Sequence, residues 1–178
     1  MRKMTVFVVT TIKEDFMKST DIMNIAIATA DETMSKGYGG PFGAVITDKE
    51  GNIVATGSNH VIKNNDPTAH GEVVCIRNAC QKLNTYDLSD YILYTTAYPC
   101  PMCLGAIMWA NIRTVHYGCT AEDTGNLGFK DDFMYDYIKD LNTKSKQVSS
   151  NILQLNPCER DNCLKLFGKY QKMDKTIY

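Results

Sequence analysis

Residues 93–118, LYTTAYPCPMCLGAIMWANIRTVHYG, contain the pattern that decides the fold. Residues 93–96 are rich in β-forming side chains, and residues 114–118 make a second strand-like run. The stretch between them, which includes residues 104–110, is helical in character and opens with prolines of the kind tolerated in the first helical turn. A strand, a helix and a second strand of these lengths predict a right-handed crossover between parallel strands.

Further strands and a helix are predicted upstream of this unit. Residues 44–48 and 52–57 are predicted as two short strands that flank a hairpin turn at residues 49–51. Residues 20–36 carry an apolar stripe at helical spacing, with Ser19 or Thr20 as the candidate N-cap. The antiparallel hairpin and the parallel crossover together require a mixed sheet.

Two more helices complete the predicted fold. Val73, Ile76, Cys80 and Leu83 recur at helical spacing, and residues 162–173 return to a helical pattern near the end of the chain. We therefore expect an α/β protein, a three-layer α/β/α sandwich with a mixed central sheet. The spacing of the elements leaves the order of the strands open.

The composition is that of one globular domain. The chain has 178 residues, of which 44% are hydrophobic and 22% charged, and its formal net charge is -1. A protein that holds a nucleic-acid backbone usually carries a basic excess, which these totals lack. We predict an extension over residues 1–14 and a single domain over residues 15–178.

The termini and the cysteines indicate a cytoplasmic protein. Seven cysteines are an odd number, which argues against a complete disulfide framework and favours a reducing compartment. Arg2 and Lys3 precede a short apolar run at residues 6–9, but no small-residue cleavage site follows, so a signal peptide is not expected. No apolar run approaches the length of a membrane span.

Four residues in two blocks point to metal chemistry. His70 and Glu72 belong to the first block, and Cys100 and Cys103 to the second. One imidazole and two thiolates are the ligand set of a catalytic zinc that keeps its fourth position open. Zinc brings the pKa of water towards neutrality. Glu72 can reach such a water without binding the metal, so we expect it to move protons.

A closed structural zinc site is the alternative, with a fourth ligand from Cys75, Cys80 or Cys119. Cys75 follows His70 by five positions and so lies about 140° around a helix from it, which directs its thiol elsewhere. A redox Cys-x-x-Cys pair is a further alternative, but it leaves His70 unexplained.

The spacing His-x-Glu followed by Pro-Cys-x-x-Cys is the signature of zinc deaminases. At these residues the chain resembles the cytidine and deoxycytidylate deaminase superfamily, and in particular the bacterial guanine deaminases. The stretches that carry the resemblance are residues 40–46 (GPFGAVI), 65–70 (NDPTAH), 99–109 (PCPMCLGAIMW) and 128–133 (GFKDDF).

The resemblance implies an activity and a substrate pocket. It implies hydrolysis of guanine to xanthine and ammonia with zinc as cofactor. Asn59 would hydrogen-bond the base, Phe42 would pack on its face, and Asp131 would accept its N–H groups. Tyr178 resembles a terminal tyrosine that closes the site. A homodimer, with exchanged C-terminal segments, is also implied.

Each of these pocket residues also has a simpler interpretation. Asn59 is a common turn residue type, Phe42 is a candidate core residue, and Asp131 is a candidate for a solvated loop or a helix cap. Met108 and Trp109 are interpreted as core or dimer interface.

The chain departs from the family pattern at two positions. Tyr98 stands where many relatives carry Glu, which leaves the substrate open. Gly71 stands where many carry Ala, a change we expect to be sterically mild. Fungal-type cytosine deaminases also have His-Gly-Glu, so cytosine is an alternative substrate.

Two other functions remain as alternatives. A tRNA adenosine deaminase resembles the chain at residues 66–70, but it needs a basic surface. Lys165, Lys169, Lys172 and Lys175 do align in the tail, although the wet face of a helix explains them as well. A zinc-stabilised binding module without activity is the second alternative, and the presence of Glu72 argues against it.

Overall fold

The computed structural model describes residues 17–142, residue 153 and residues 158–173. The predicted N-terminal extension over residues 1–14 lies outside them, as does Tyr178. In the described part, the elements in chain order are α1 (Ser19–Ser35), β1 (Gly43–Thr47), β2 (Ile53–Ser58), α2 (Val61–Asn64), α3 (Gly71–Leu83), β3 (Ile92–Ala97), α4 (Pro101–Trp109), β4 (Thr114–Cys119), α5 (Ala121–Asn126), α6 (Asp132–Asn142) and α7 (Arg160–Gln171).

The four strands form one mixed sheet in the order β2-β1-β3-β4. Strand β1 is antiparallel to both of its neighbours, and Ala44 is paired with Thr95 of β3. Strands β3 and β4 run parallel, with Leu93 opposite Val115. The predicted strand–helix–strand unit with parallel strands is therefore confirmed.

One face of the sheet is covered by α3 and α4. Its core includes Ala44 and Ile46 from β1, with Ile76 of α3 and Ile107 of α4 packed over them. Strand β2 lies close under α3. A Cβ added at Gly57 would fall 2.3 Å from the backbone nitrogen of Cys75, so only glycine fits there. This close approach holds the start of α3, and the residues around it, against the sheet.

The opposite face is covered by α1. Ile22 and Ala26 of α1 pack on Val45 and Tyr94, which point away from the other layer. The fold is thus the predicted three-layer sandwich, with a helix layer on each side of the mixed sheet.

The predicted N-cap of α1 is wrong. Lys18 occupies that position without a side-chain cap, and Ser19 is the first helical residue. The hydroxyl of Ser19 lies 3.4 Å from that of Tyr94, so it faces the sheet rather than the end of the helix.

The last helix, α7, begins at Arg160, two residues before the predicted start. Its lysines at 165, 169 and 172 are exposed, and so are its apolar residues Leu166 and Phe167, at 63% and 62%. In the single chain, α7 thus buries neither of these two side chains. None of the described helices has the length and apolar character that crossing a membrane would require.

Candidate active site

His70 occupies the N-cap position of α3, with an extended backbone (φ -69°, ψ 156°). Asp66 holds the preceding loop: its carboxylate accepts the backbone N–H and the hydroxyl of Thr68, at 2.8 and 2.7 Å. The backbone N–H of His60 donates to the carbonyl of Ala69 at 2.9 Å. These bonds fix the path of the chain into α3 and so direct the imidazole.

Cys100 occupies the corresponding N-cap position of α4. Pro101 begins that helix, where its missing N–H costs no hydrogen bond. Cys103 lies in the first turn and is fully buried. Because a helix N-terminus carries partial positive charge, it favours the thiolate form of Cys100.

These three side chains converge on one point. The Nδ1 atom of His70 lies 3.6 Å from the sulfurs of both Cys100 and Cys103, and the three donor atoms lie within 4.8 Å of one another. An imidazole nitrogen with two sulfurs is a donor set that zinc binds in proteins. The residues present therefore fit a zinc ion, with three protein ligands.

The titration of the donors fits the same site. The two thiols share one proton: the hydrogen bond with Cys103 lowers the pKa of Cys100 to about 4, and the same bond raises the pKa of Cys103. The hydrogen bond with Cys100 in turn raises the pKa of His70. A thiolate is thus already favoured beside the imidazole, and metal binding displaces the remaining protons.

The closed-site alternative is not supported by the other cysteines. The thiol of Cys75 lies in the core and donates to the carbonyl of Ala55 at 3.5 Å, and burial raises its pKa. Cys119 is exposed at the end of β4. Across the described ranges, the only group of donors placed to hold a metal is the set of three above. All seven cysteines are free.

Glu72 lies directly behind the donor set. Its side chain is buried, and Oε1 accepts a hydrogen bond of 3.1 Å from the hydroxyl of Thr95. The thiol of Cys103 lies 3.4 Å from Oε2. Burial raises the pKa of this carboxyl group. An acid with a raised pKa is suited to take up and release a proton near neutral pH.

A cavity of about 600 Å³ opens over this acid and the donors. The predicted site residues that line it are Phe42, Asn59, His70, Glu72, Cys100 and Asp131. The predicted pocket residues other than Tyr178 are therefore brought together around one cavity. Tyr178 lies outside the described residues.

The side-chain amide of Asn59 has its oxygen engaged in a hydrogen bond within the protein. Its side-chain carbonyl accepts the backbone N–H of Val61 at 3.1 Å. The backbone N–H of Asn59 donates to the carbonyl of Phe42 at 2.8 Å. Asn59 is only 5% exposed. With the amide oxygen engaged, the NH2 group is the end available to a molecule in the cavity.

Phe42 and Phe129 form the aromatic wall of the cavity. Their rings are arranged edge to face, with 4.9 Å between the ring centroids. Asp131 lies just before α6 on the same side, and burial raises the pKa of its carboxyl group. The hydroxyl of Tyr135 donates to the carbonyl of Pro99 at 3.2 Å, which ties α6 to the cysteine loop.

Comparison with known families decides what kind of site this is. The model of the cytidine and deoxycytidylate deaminase zinc-binding region matches residues 17–119. The chain belongs to this deaminase family.

Individual relatives agree with that assignment. Guanine deaminase from Bacillus subtilis (strain 168) is 49% identical over 122 residues, which make up 68% of this deaminase and 78% of that protein. The tRNA-specific adenosine deaminase of Haemophilus influenzae is 37% identical over 116 residues, 65% and 66% of the two chains.

The fold is shared with solved structures. A crystal structure of guanine deaminase from Bacillus subtilis superimposes with a TM-score of 0.80 at 38% identity, covering 91% of this deaminase and 99% of that chain. Guanine deaminase from Nitrosomonas europaea gives a TM-score of 0.62 at 28% identity, with 64% and 65% covered.

Gly71 corrects one expectation about this deaminase. An added Cβ there would lie 2.8 Å from the carbonyl oxygen of Phe42, and the Cα of Gly43 would follow at 3.4 Å. Alanine is therefore not a mild change at this position, because the atom it would meet belongs to a backbone that cannot simply rotate away. The same carbonyl accepts the N–H of Asn59, so Gly71 is part of the packing that sets the pocket.

A second expectation is corrected in part. Met108 and Trp109 are not core residues, since they are 69% and 72% exposed at the end of α4. The interface interpretation stays a prediction.

Sequence reasoning missed two residues of the site, Thr95 and Tyr135. Tyr135 follows Asp131 by four positions, so the two share a face of the chain entering α6, a signal that helical spacing offers. No pattern in the sequence identifies Thr95, because its role depends on the position of β3 beside α3 in the folded structure.

Proposed function

We propose that this deaminase hydrolyses the free base guanine to xanthine and ammonia, with His70, Cys100 and Cys103 as the zinc ligands. One observation carries the proposal: Glu72 and two of the three metal donors, His70 and Cys100, line the same cavity as Asn59 and Asp131. The Bacillus subtilis relative, a guanine deaminase at 49% identity, supports the choice of base.

Zinc, when bound, acts as a Lewis acid and supplies a nucleophile from water at neutral pH. Glu72 takes one proton of the attacking water and delivers it to the ring nitrogen beside the amine-bearing carbon. It then takes the second proton from the oxygen now bonded to that carbon and delivers it to the leaving amine, as the C–N bond breaks and the C=O bond forms. The balance is one guanine and one water consumed for one xanthine and one ammonia formed. The burial of Glu72, which is 5% exposed, limits its contact with bulk water.

The other pocket residues bind and orient the base. The amide NH2 of Asn59 is placed to donate to an acceptor of guanine, which carries acceptors at N7 and O6. Asp131 accepts the ring N–H and the amine, and its partial burial strengthens that preference. The Phe42 ring packs against the flat face of the base.

The assembly proposed here is a homodimer with exchanged C-terminal segments. Trp109 and Phe167 are apolar and exposed in the single chain, on α4 and α7. A second copy of the chain would bury such side chains. Tyr178, by its resemblance to a terminal tyrosine, is assigned to closing the pocket. The mass of the protein by sedimentation equilibrium tests the dimer, and a monomer at all concentrations overturns it.

The cytoplasm is the proposed location, because the thiols of Cys100 and Cys103 must stay reduced to bind zinc. There, the activity would serve the breakdown of purine bases.

Ammonia release by the zinc-loaded protein tests the substrate. Guanine, cytosine, adenine, cytidine and guanosine are offered separately, and release from guanine alone is expected. Release from cytosine instead would keep the zinc chemistry and discard the pocket assignment. Silence on all five, with salt-dependent binding of tRNA, would favour the tRNA adenosine deaminase alternative.

A further inference from the structure

Strand β3 presents two neighbouring threonines to opposite faces of the sheet. Thr96 faces the turn before β1, where its hydroxyl accepts the N–H of Gly43 at 3.0 Å. Thr95 faces α3 and is only 1% exposed. Its hydroxyl donates to Oε1 of Glu72 at 3.1 Å. Thr95 thus lies on the face of the sheet opposite α1 and contacts Glu72, the proposed acid of the reaction.

The other oxygen of that carboxyl group has a different neighbour. The sulfur of Cys103 lies 3.4 Å from Oε2 of Glu72. A cysteine that binds zinc does so as a thiolate and has no proton to donate. Within the described part of the chain, the hydroxyl of Thr95 is then the side-chain donor left to this carboxylate.

A buried carboxylate held by its own backbone N–H and by one side-chain donor cannot rotate freely. Glu72 is 5% exposed, so water does not compete for Oε1. The bond holds Oε1 against β3 and leaves Oε2 on the side of the metal donors. Oε2 is the oxygen that must exchange protons in the reaction. The bond therefore selects one orientation of a group that has several rotamers.

We propose that Thr95 is a positioning residue that holds the carboxyl group of Glu72 in the orientation needed for proton transfer. This inference rests on the proposed function, since it needs Glu72 to be the acid of the reaction. It predicts that the hydroxyl matters and the methyl group does not.

Two variants separate those parts of the side chain. Thr95→Val keeps the shape and removes the hydroxyl, whereas Thr95→Ser keeps the hydroxyl and removes the methyl group. We expect kcat to fall about 10- to 100-fold in Thr95→Val, with KM and zinc content near those of the wild type. Thr95→Ser should keep kcat within about threefold of the wild type.

A matched control exists on the neighbouring strand. Thr47 is fully buried in β1, and among the described residues its hydroxyl has no hydrogen-bond partner. Thr47→Val makes the same chemical change without touching Glu72, so kcat should not change. An equal loss of kcat in Thr47→Val and Thr95→Val would assign the effect to packing and overturn the proposal.

A structural test asks whether Thr95 acts through Glu72. Crystal structures of the zinc-loaded wild type and Thr95→Val give a readout that needs no substrate: the Glu72 carboxyl group should occupy a new or second rotamer in the variant. An unchanged rotamer with unchanged kcat would overturn the inference. If the wild type deaminates no base while the rotamer still shifts, the proposed function fails and the positioning contact stands.

Discussion

His70 and Cys100 occupy the same position in two different helices: each is an N-cap, and the imidazole Nδ1 lies 3.6 Å from the sulfur. The N-termini of α3 and α4 therefore meet at one point beside the sheet. Each of these two donors is held by the backbone geometry of a helix start, and the partial positive charge at the start of α4 favours the thiolate of Cys100. A metal site built this way is fixed before the metal binds.

Among the seven cysteines, only Cys100 and Cys103 should determine the zinc content. Cys100→Ser and Cys103→Ser each replace a thiolate with a hydroxyl, a poor zinc ligand, so bound zinc should fall from about one ion per chain to near zero. Elemental analysis of the dialysed proteins measures this. Cys119→Ser, at an exposed sulfur outside the donor set, is the control and should retain its zinc. Full zinc in Cys103→Ser would contradict the site.

Glu72→Ala should separate metal binding from turnover. The residue lies behind the donors without belonging to them, so zinc content should stay near normal. Loss of the general acid and base should lower kcat by about 10²- to 10⁴-fold. Steady-state ammonia release at matched zinc content is the measurement. Activity close to that of the wild type would remove Glu72 from the mechanism.

Gly71→Ala should disturb the pocket through the backbone. The added methyl group would lie 2.8 Å from the carbonyl oxygen of Phe42, so we expect a loss of about 1–3 kcal/mol in the free energy of unfolding. Because that carbonyl also holds Asn59, KM should rise as well. Urea unfolding and steady-state kinetics measure the two effects.

Gly105→Ala is the matched control for this change. Gly105 lies within α4, and an added Cβ there meets no atom within 4 Å. Alanine should stabilise the helix there by about 0.4–1 kcal/mol. Equal stability of the two variants would show that the contact between residues 71 and 42 is not tight.

Asp131→Asn should weaken the binding of guanine. The carboxylate lines the cavity and accepts N–H groups, whereas an amide presents one acceptor and one mismatched donor. We expect KM to rise about tenfold or more, in keeping with a lost charged hydrogen bond. Asp132→Asn, at the neighbouring exposed residue, should leave KM unchanged. A rise in both variants would point to general charge rather than to contact with the base.

Local patterns in the sequence were enough to predict the four strands, the helices α1, α3, α4 and α7, and the metal donors, whereas α2, α5 and α6 were not predicted. His70 and Cys100 each precede a run with helical spacing, so their place at helix starts follows from short-range signals. The parallel pairing of β3 and β4 follows from the length of the connection between them.

Contacts between distant segments were not predictable from such patterns. The hydrogen bond from Thr95 to Glu72 depends on the register of β3 under α3, which spacing does not determine. The tight space at Gly71 depends on a carbonyl from the start of β1. The N-cap of α1 was mispredicted for the same reason, because Ser19 faces Tyr94 across the molecule.

The conversion of guanine by the zinc-loaded protein tests the account most directly. Guanine and xanthine are separated by chromatography and ammonia is measured in the same samples, with Glu72→Ala at equal zinc content beside the wild type. The account predicts that the wild type forms xanthine and ammonia in equal amounts and that Glu72→Ala forms neither above background. Unchanged guanine with the wild type, or equal conversion by both proteins, would contradict it.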